Sequence, residues 1–358
     1  MQTIVYKVGS RMLADESGRI DEANFTRLVS EAAAVWRAGH QVVLVSSGAV
    51  AVGAAALGEY PKSIVERQAA AAVGQARLMH KYQDLFDRHG ITIAQVLLTR
   101  GELHNRTRFL NARNTLQELA RRRILPIINE NDTVAVDEII VGDNDQLAAI
   151  TSFLVNAQLC VLLTDVDGVL RDTRDPQSLV PEFRDVEEAK ALVVAKTSQV
   201  STGGMTTKLL AAKMNSDFGI STLIANGRTE GILPAVAEGT ARGTRFLPRE
   251  SPRSAWQYWL RHGAMAEGDI AVDAGAASAL RQGKSLLPGG IQNVSGSFDA
   301  GATVTISTLG RILARGVALY SSDEITRLRG TRTSQIEATL GYTKGDEIVH
   351  RNDMVLED

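Results

Sequence analysis

Short, mostly apolar runs alternate with longer helical stretches through the first two-thirds of this chain. Residues 3–8, 41–45, 91–98, 124–128, 159–163 and 221–225 read as strands. Between them, residues 21–38 (closed by Gly39), 62–88 (followed by Gly90), 112–123 and 208–218 (ending near Gly219) read as helices. A strand that is apolar at every position must be covered on both faces, and a long connection returning through a helix makes its neighbour parallel. The pattern predicts an α/β fold: a three-layer sandwich with a mainly parallel sheet. Ligands in such sheets sit beyond the carboxyl ends of the strands. The polar clusters fall there: Lys7-Val8-Gly9-Ser10, Ser46-Ser47-Gly48, Asn129 to Asp132, Thr164-Asp165 and Asn226-Gly227.

At 358 residues the chain has room for more than this sheet. Around residues 242–254 the period is lost among Gly243, Pro248 and Pro252. Beyond Gly263, short strands separated by glycines follow at 268–273, 294–298, 302–307 and 312–320. The expected division is a catalytic domain over 1–241, a linker over 242–264 and a compact β-rich barrel or sandwich over 265–358. Apolar residues at 44% with 22% charged match soluble globular proteins, and a net charge of −2 argues against a general binder of nucleic acid or anionic membrane. The single cysteine, Cys160, lies in an apolar run as a small hydrophobe, so no internal disulfide and no cysteine-built zinc site is expected. No apolar run approaches the roughly 20 residues of a membrane span, and the amino terminus enters a strand without a signal segment. A cytoplasmic protein is expected.

The chemistry concentrates between Pro126 and Asp145. After the apolar Ile127-Ile128 come Asn129-Glu130-Asn131-Asp132 and then Gly142-Asp143-Asn144-Asp145. Such a cluster is costly to desolvate unless a cation or a hydrogen-bonding ligand completes it. Amides donate and accept, so Asn129, Asn131 and Asn144 suit a ligand bearing both an amine and a carboxylate. Two Asx-rich turns would account for the same residues without any ligand. Lys7 ends a buried strand beside Gly9 and could hold a transferring phosphoryl group, although by itself it reads more simply as a strand-end lysine in water. Ser46-Ser47-Gly48-Ala49 makes a small-residue turn into a helix, either a ligand's approach to the backbone or an ordinary N-cap. Ser201-Thr202-Gly203-Gly204-Met205-Thr206-Thr207-Lys208 opens a helix as a phosphate-binding lead-in would, without Walker A spacing. Thr164-Asp165-Val166-Asp167-Gly168 is either a nucleotide contact or a hairpin-like turn. The histidines, among them His104, His262 and His350, show no metal spacing. Two lysines at opposite sheet ends, glycine-rich loops and an Asp- and Asn-rich pocket together point to phosphoryl transfer to a small polar acceptor. That reaction runs on positioning and charge neutralisation and needs no covalent nucleophile.

These motifs, in this order, resemble the amino acid kinase family: Lys7-Val-Gly-Ser10, Val45-Ser-Ser-Gly-Ala49, Asn129-Glu-Asn-Asp132, Gly142-Asp-Asn-Asp145, Leu163-Thr-Asp165 and Thr202-Gly-Gly-Met-Thr-Thr-Lys208. The resemblance spans almost the whole chain and extends to a C-terminal part similar to a PUA domain, through Asp273-Ala-Gly-Ala276, Gly283 to Pro288 and Ala314-Arg-Gly316. It implies the amino acid kinase fold and ATP-dependent phosphorylation of the γ-carboxylate of L-glutamate. The products would be L-glutamyl 5-phosphate and ADP, the first step of proline biosynthesis. By the resemblance, Ser47, Asp132 and Asn144 bind glutamate. Lys7 and Lys208 stabilise the transferring phosphoryl group and leaving ADP, and Asp145 holds those lysines. Thr164, Asp165, Thr202, Gly203, Gly204, Met205, Thr206, Thr207 and Lys208 bind ATP together with Lys7. The cofactors implied are ATP and Mg2+, the metal carried on the nucleotide, with Asp143 a candidate for glutamate or magnesium contact. His104, Asn105 and Arg106 are expected to line the glutamate site or an oligomer contact. A homo-oligomer (dimer or tetramer), proline as feedback inhibitor and glutamyl-phosphate reductase are the implied partners, with no membrane. Alternatives are a same-fold kinase of another small carboxylate such as N-acetylglutamate, or RNA binding through the PUA-like part. Residues 266–358 hold nine Lys plus Arg against twelve Asp plus Glu, a net of −3, which makes nucleic acid a poor fit.

Overall fold

The computed structural model describes residues 1–15, 17–99, 106–134, 144–172, 174–194, 203–249, 260 and 266–357. The chain forms two compact units, divided chiefly between Pro252 and Arg253.

The first unit is built on an eight-stranded sheet. Its strands are β1 (Thr3–Val8), β2 (Gln41–Ser46), β3 (Ile93–Leu98), β4 (Leu125–Glu130), β5 (Leu159–Thr164), β6 (Glu182–Phe183), β7 (Ser221–Asn226) and β8 (Thr244–Phe246), in the spatial order β3-β4-β2-β1-β5-β7-β8-β6. All neighbours are parallel except β7 and β8. Its helices are α1 (Ser10–Leu13), α2 (Glu22–Arg37), α3 (Ala49–Leu57), α4 (Ile64–Asp87), α5 (Arg106–Arg121, belonging to this unit from Leu110 onward), α6 (Asn144–Leu154), α7 (Val186–Val194), α8 (Gly203–Asp217) and α9 (Ile232–Glu238). The central strand β1 is flanked by β2 and β5, with Lys7 in register with Val45 and Leu162. Strand side chains alternate between faces, so Tyr6 and Val8 enter the core with Phe25, Leu28 and Tyr82, while Lys7 faces the opposite layer.

Local chemistry explains several boundaries. Asp21 caps α2 by accepting from the Asn24 amide at 3.1 Å, and Gly39 ends the segment with φ of 93°. Ser63 and Glu66 form a capping box at the start of α4. The sheet reaches into the stretch read as a linker, because Thr244–Phe246 pairs with β7 and β6; a three-residue strand gives too little periodicity to read. The helix expected over 112–123 begins at Arg106, and the one expected from Lys208 begins at Gly203, so the glycine-rich lead-in is itself helical from Gly203 onward.

Helices α3 and α4 pack with almost no side chain between them. A Cβ placed on Gly53 would overlap the carbonyl of Ala70, and one on Gly74 would overlap that of Ala49. Only glycine permits this approach, which fixes α3 and hence the Ser47-Gly48 turn in front of it. Gly74→Val forces the helices apart, and unfolding in urea is expected to show a loss of about 3 kcal/mol or more. An unchanged midpoint would mean that the helices are not locked together there.

The second unit is one five-stranded mixed sheet, not two stacked sheets. Strands β9 (Gly268–Val272), β10 (Ile291–Ser295), β11 (Thr303–Thr308), β12 (Arg311–Val317) and β13 (Met354–Leu356) lie in the order β10-β9-β11-β12-β13. With α10 (Ala274–Arg281), α11 (Ser322–Leu328) and α12 (Ile336–Leu340) they enclose a separate core around Ile270, Leu280, Val304, Ile306 and Tyr320. Asp269 is satisfied within the sheet by the hydroxyls of Thr305 and Ser307, each at 2.6 Å. His350 accepts from the Asn352 amide at 3.2 Å, a turn-capping role. No helix among the described residues is long and apolar enough to cross a membrane.

Candidate active site

A buried lysine near the end of a central strand is expensive unless a carboxylate meets it. Lys7 Nζ lies 2.9 Å from Asp145 Oδ1. Lys208 Nζ lies 3.1 Å from Asp145 Oδ2, and Thr207 Oγ1 donates to that same oxygen at 2.8 Å. Lysines that read as lying at opposite sheet ends therefore meet on one carboxylate. Asp145 stands in the first turn of α6, where free backbone N–H groups and the positive end of the helix favour a negative charge. Burial works to raise its pKa, but the ammonium groups of Lys7 and then Lys208 outweigh it and hold the carboxyl below its ordinary value. Burial lowers the Lys208 pKa, helped by the Lys7 charge and opposed by Asp145.

Relative exposures of 7% for Lys7, 3% for Asp145 and 7% for Lys208 make this a nearly dry cluster. Two ammonium groups on one carboxylate leave a net charge of about +1 in a low-dielectric place. An anion arriving there completes the set; Asp145 alone cannot.

Asn144, one residue earlier, serves the other side. Its Nδ2 lies 2.6 Å from the Ser46 carbonyl, 2.9 Å from Ser47 Oγ and 2.8 Å from Asn129 Oδ1. Asn129 in turn donates to Gln75 Oε1 at 2.7 Å. The ends of β2 and β4 and the start of α6 are thus tied into one polar wall. The turn at Ser47 is shaped by Gly48, at φ of 95°, which precedes α3 without any side-chain cap; the serines do not act as the N-cap. A cleft of about 310 Å3 opens in front, lined by Lys7, Ser47, Asp132 and Asn144 together with the first turn of α3. Asp132 and Asn144 line the same cleft although residues 133–143 separate them in sequence, of which 135–143 lie outside the described residues. Burial pushes the Asp132 carboxyl up to about 6.

Thr164 and Asp165 end β5, beside β1. Asp165 pairs with Arg11 Nη1 at 2.6 Å and accepts from Thr164 Oγ1 at 3.2 Å. Burial works to raise its pKa, but the Arg11 hydrogen bond, its own backbone N–H, the Thr164 hydroxyl and the Arg11 charge together outweigh it, so its carboxyl stays below the usual range. Gly203, Gly204, Met205, Thr206, Thr207 and Lys208 occupy the first turns of α8, with Lys208 Nζ 3.2 Å from the Gly204 carbonyl. Thr202 and Asp143, together with His104 and Asn105, lie outside the described residues. Sequence reasoning missed Arg11, Gln75 and Arg67, which also lines the cleft. Arg11 and Gln75 act across long sequence separations, and no local spacing marks them.

The amino acid kinase family model matches residues 2–226, and the PUA domain model matches residues 268–340. A glutamate 5-kinase of Moorella thermoacetica is 46% identical over 361 residues, covering 99% of this chain and 96% of that protein. One from Geobacter sulfurreducens is 45% identical, covering 99% of this chain and 98% of the relative. Among solved structures, the carbamate kinase of Giardia lamblia matches with a TM-score of 0.51 at 20% identity, over 69% of this chain and 99% of that one, a likeness of fold. The chain belongs to the amino acid kinase family and groups within it with the glutamate 5-kinases.

Proposed function

We infer that the protein transfers the γ-phosphoryl group of ATP to the γ-carboxylate of L-glutamate, giving L-glutamyl 5-phosphate and ADP, the entry step of proline biosynthesis. The observation that carries this reading is the Lys7–Asp145–Lys208 cluster, net positive and nearly buried, beside a cleft that also presents Asp132. A carboxylate oxygen of glutamate forms the new bond to the γ-phosphorus as the bond from that phosphorus to the bridging oxygen of ADP breaks. Negative charge shifts onto the leaving ADP and stays spread over the phosphoryl oxygens. Lys7 and Lys208, preset by Asp145, meet that charge without rearranging, and preset charge is where most of the acceleration comes from.

On the acceptor side, the free N–H groups of the first turn of α3 and the hydroxyl of Ser47 receive the γ-carboxylate. Asp132 and Asn144 receive the α-amino group. An acetylated amine offers no positive charge to Asp132, which disfavours N-acetylglutamate. Thr164, Asp165 and the start of α8 hold the nucleotide. Among the described residues no three acidic or imidazole side chains converge on a metal site, and both oxygens of Asp145 already face lysines. The described residues do not build a magnesium cage; on this reading Mg2+ belongs to the nucleotide phosphates, and no step above runs through it. The same reading carries a cytoplasmic homo-oligomer, inhibition by proline and hand-over of the acyl phosphate to glutamyl-phosphate reductase. A first domain ending after β8, near Phe246, and a second beginning near Gly268 complete it.

ADP release with L-glutamate, N-acetylglutamate and L-aspartate in parallel, with hydroxylamine trapping the acyl phosphate, tests this directly. Turnover with glutamate at least about 100-fold above the other two is expected, since a misplaced or missing charge in a built polar site costs that much. Equal or better turnover with N-acetylglutamate would overturn the assignment.

A further inference from the structure

Helices α6 and α8 both begin at the lysine cluster and run in the same direction. They touch near their amino ends through Asp145 and Lys208, and at the other end through Phe153 and Phe218, whose ring centroids stack at 4.2 Å. A second polar level lies between those contacts. Ser152 follows Asp145 by seven residues on α6, and Asn215 follows Lys208 by seven on α8. Seven residues are about two turns, so each lies about 10 Å beneath its counterpart and on nearly the same helix face. Strands β5 and β7 supply the floor. Cys160 is in register with Thr222 on one side and with Val5 on the other, and Val5 shares the face of β1 that carries Lys7.

Ser152, Cys160, Asn215 and Thr222 are fully buried. Asn215 Nδ2 donates to Thr222 Oγ1 at 3.0 Å, and the Ser152 hydroxyl donates to the Ala148 carbonyl at 2.7 Å. Burial pushes the Cys160 thiol up to about 11, opposed by hydrogen bonding with Ser152 and then Asn215, so one sulfur stands between the two helices. An apolar contact between helices tolerates small slides and rotations. A buried hydrogen bond holds in one register and strands a polar group outside it. We propose that Asn215 is a positioning residue for phosphoryl transfer: held to Thr222 and Cys160, it sets the height and rotation of α8 on the sheet and so delivers Lys208 to Asp145. This rests on the kinase reading above and adds to it the residue that aligns the second lysine. Cys160 then does more than fill space as a small hydrophobe.

The test uses the full chain as wild type, N215A, T222V and V236A, the last a control that opens the core on the opposite face of the sheet. In N215A kcat with glutamate and ATP is expected to fall about tenfold, part of the roughly 100-fold that a misplacement of about 1 Å costs. The KM for glutamate stays within about twofold, because the wall of its cleft is built by β2, β4 and the start of α6. T222V removes the acceptor with little change of volume and is expected to lower kcat as well, and the double variant falls no further than N215A. V236A is expected to lose stability in urea while kcat stays within about twofold. An NMR titration of the Lys208 ammonium in the free protein reads the alignment without an acceptor. The charges that act on it are those of Asp145, Lys7 and Asp165, and with Asp145 displaced Lys208 titrates about one pH unit lower in N215A. Wild-type kcat in T222V, an unmoved Lys208 titration, or an equal loss of kcat in V236A overturns the proposal, and T222V decides if N215A does not fold. A wild type that does not phosphorylate glutamate overturns the function proposed above instead, and the Lys208 titration then still decides the alignment.

Discussion

Asp145→Asn is expected to lower kcat by about 10³-fold, the scale on which one preset electrostatic group usually counts. The amide keeps the shape of the carboxyl and removes its charge. Lys7 and Lys208 then face each other with nothing between them. Burial and the Lys7 charge already draw the Lys208 pKa down, and losing Asp145 removes the counterweight. The Lys208 pKa moves further down, and two unbalanced ammonium groups no longer sit preset for the charge on the leaving ADP. Stability falls as well, by about 3 kcal/mol, because breaking a buried ion pair strands the remaining charge. Because the Asp145 pKa is lowered in the folded state, its contribution is full above the unfolded value of 3.8 and is lost as pH falls through the folded value. Lys208→Ala should match the loss in turnover while relieving the repulsion. Steady-state kinetics with urea unfolding of both variants checks this; near-normal turnover in Asp145→Asn would remove the mechanism.

Asp132→Ala is expected to raise the KM for glutamate by about 50-fold with a smaller change in kcat, as when one partner of a desolvated charge pair is removed. The raised pKa of Asp132 gives this prediction a second signature. With a value of about 6 in the ligand-free site, Asp132 is ionised at pH 7.5 and increasingly neutral below about 6. A neutral carboxyl cannot hold an ammonium, so the wild-type KM should climb about tenfold per pH unit below that point. The Asp132→Ala profile should be flat across the same range. The linkage to stability has the opposite sense from Asp145. A folded pKa above the unfolded 3.8 means the fold is favoured below 3.8 and loses that advantage as pH rises through about 6. Asp132→Asn should therefore stabilise the ligand-free protein at pH 8 by about 1–2 kcal/mol. A pH-independent KM in the wild type would sink the placement of the amine.

Much of the sheet was legible because burial on both faces leaves no place for polar residues. β1, β2, β4, β5 and β7 show as mostly apolar runs for that reason, the charged exceptions being Lys7 in β1 and Glu130 at the end of β4. The start of α6 was not legible. Asn144 and Asp145 carry turn chemistry, and only the buried run from Leu147 shows that a helix has begun. β6, β8 and β13 are two or three residues long and are made by their neighbours rather than by their own sequence. In the site, Lys7, Asp145 and Lys208 could be proposed from residue type and family resemblance, but that they converge depends on contacts spanning more than 60 residues. The Arg11–Asp165 pair, 154 residues apart, and the tie from Asn144 to Ser47 are of the same kind.

Asn144 and Asp145 are successive residues at one helix start, about 1.5 Å apart along the axis and about 100° apart around it. One faces the wall of the acceptor cleft and the other the paired lysines. No displacement of α6 can loosen either without moving its neighbour, and Ala148, Leu147 and Leu154 anchor the same helix in the core. On the proposed assignment, the registration of acceptor against donor is set by a single peptide bond, the shortest covalent link two pockets can share. It leaves little tolerance between them for a small shift to erode.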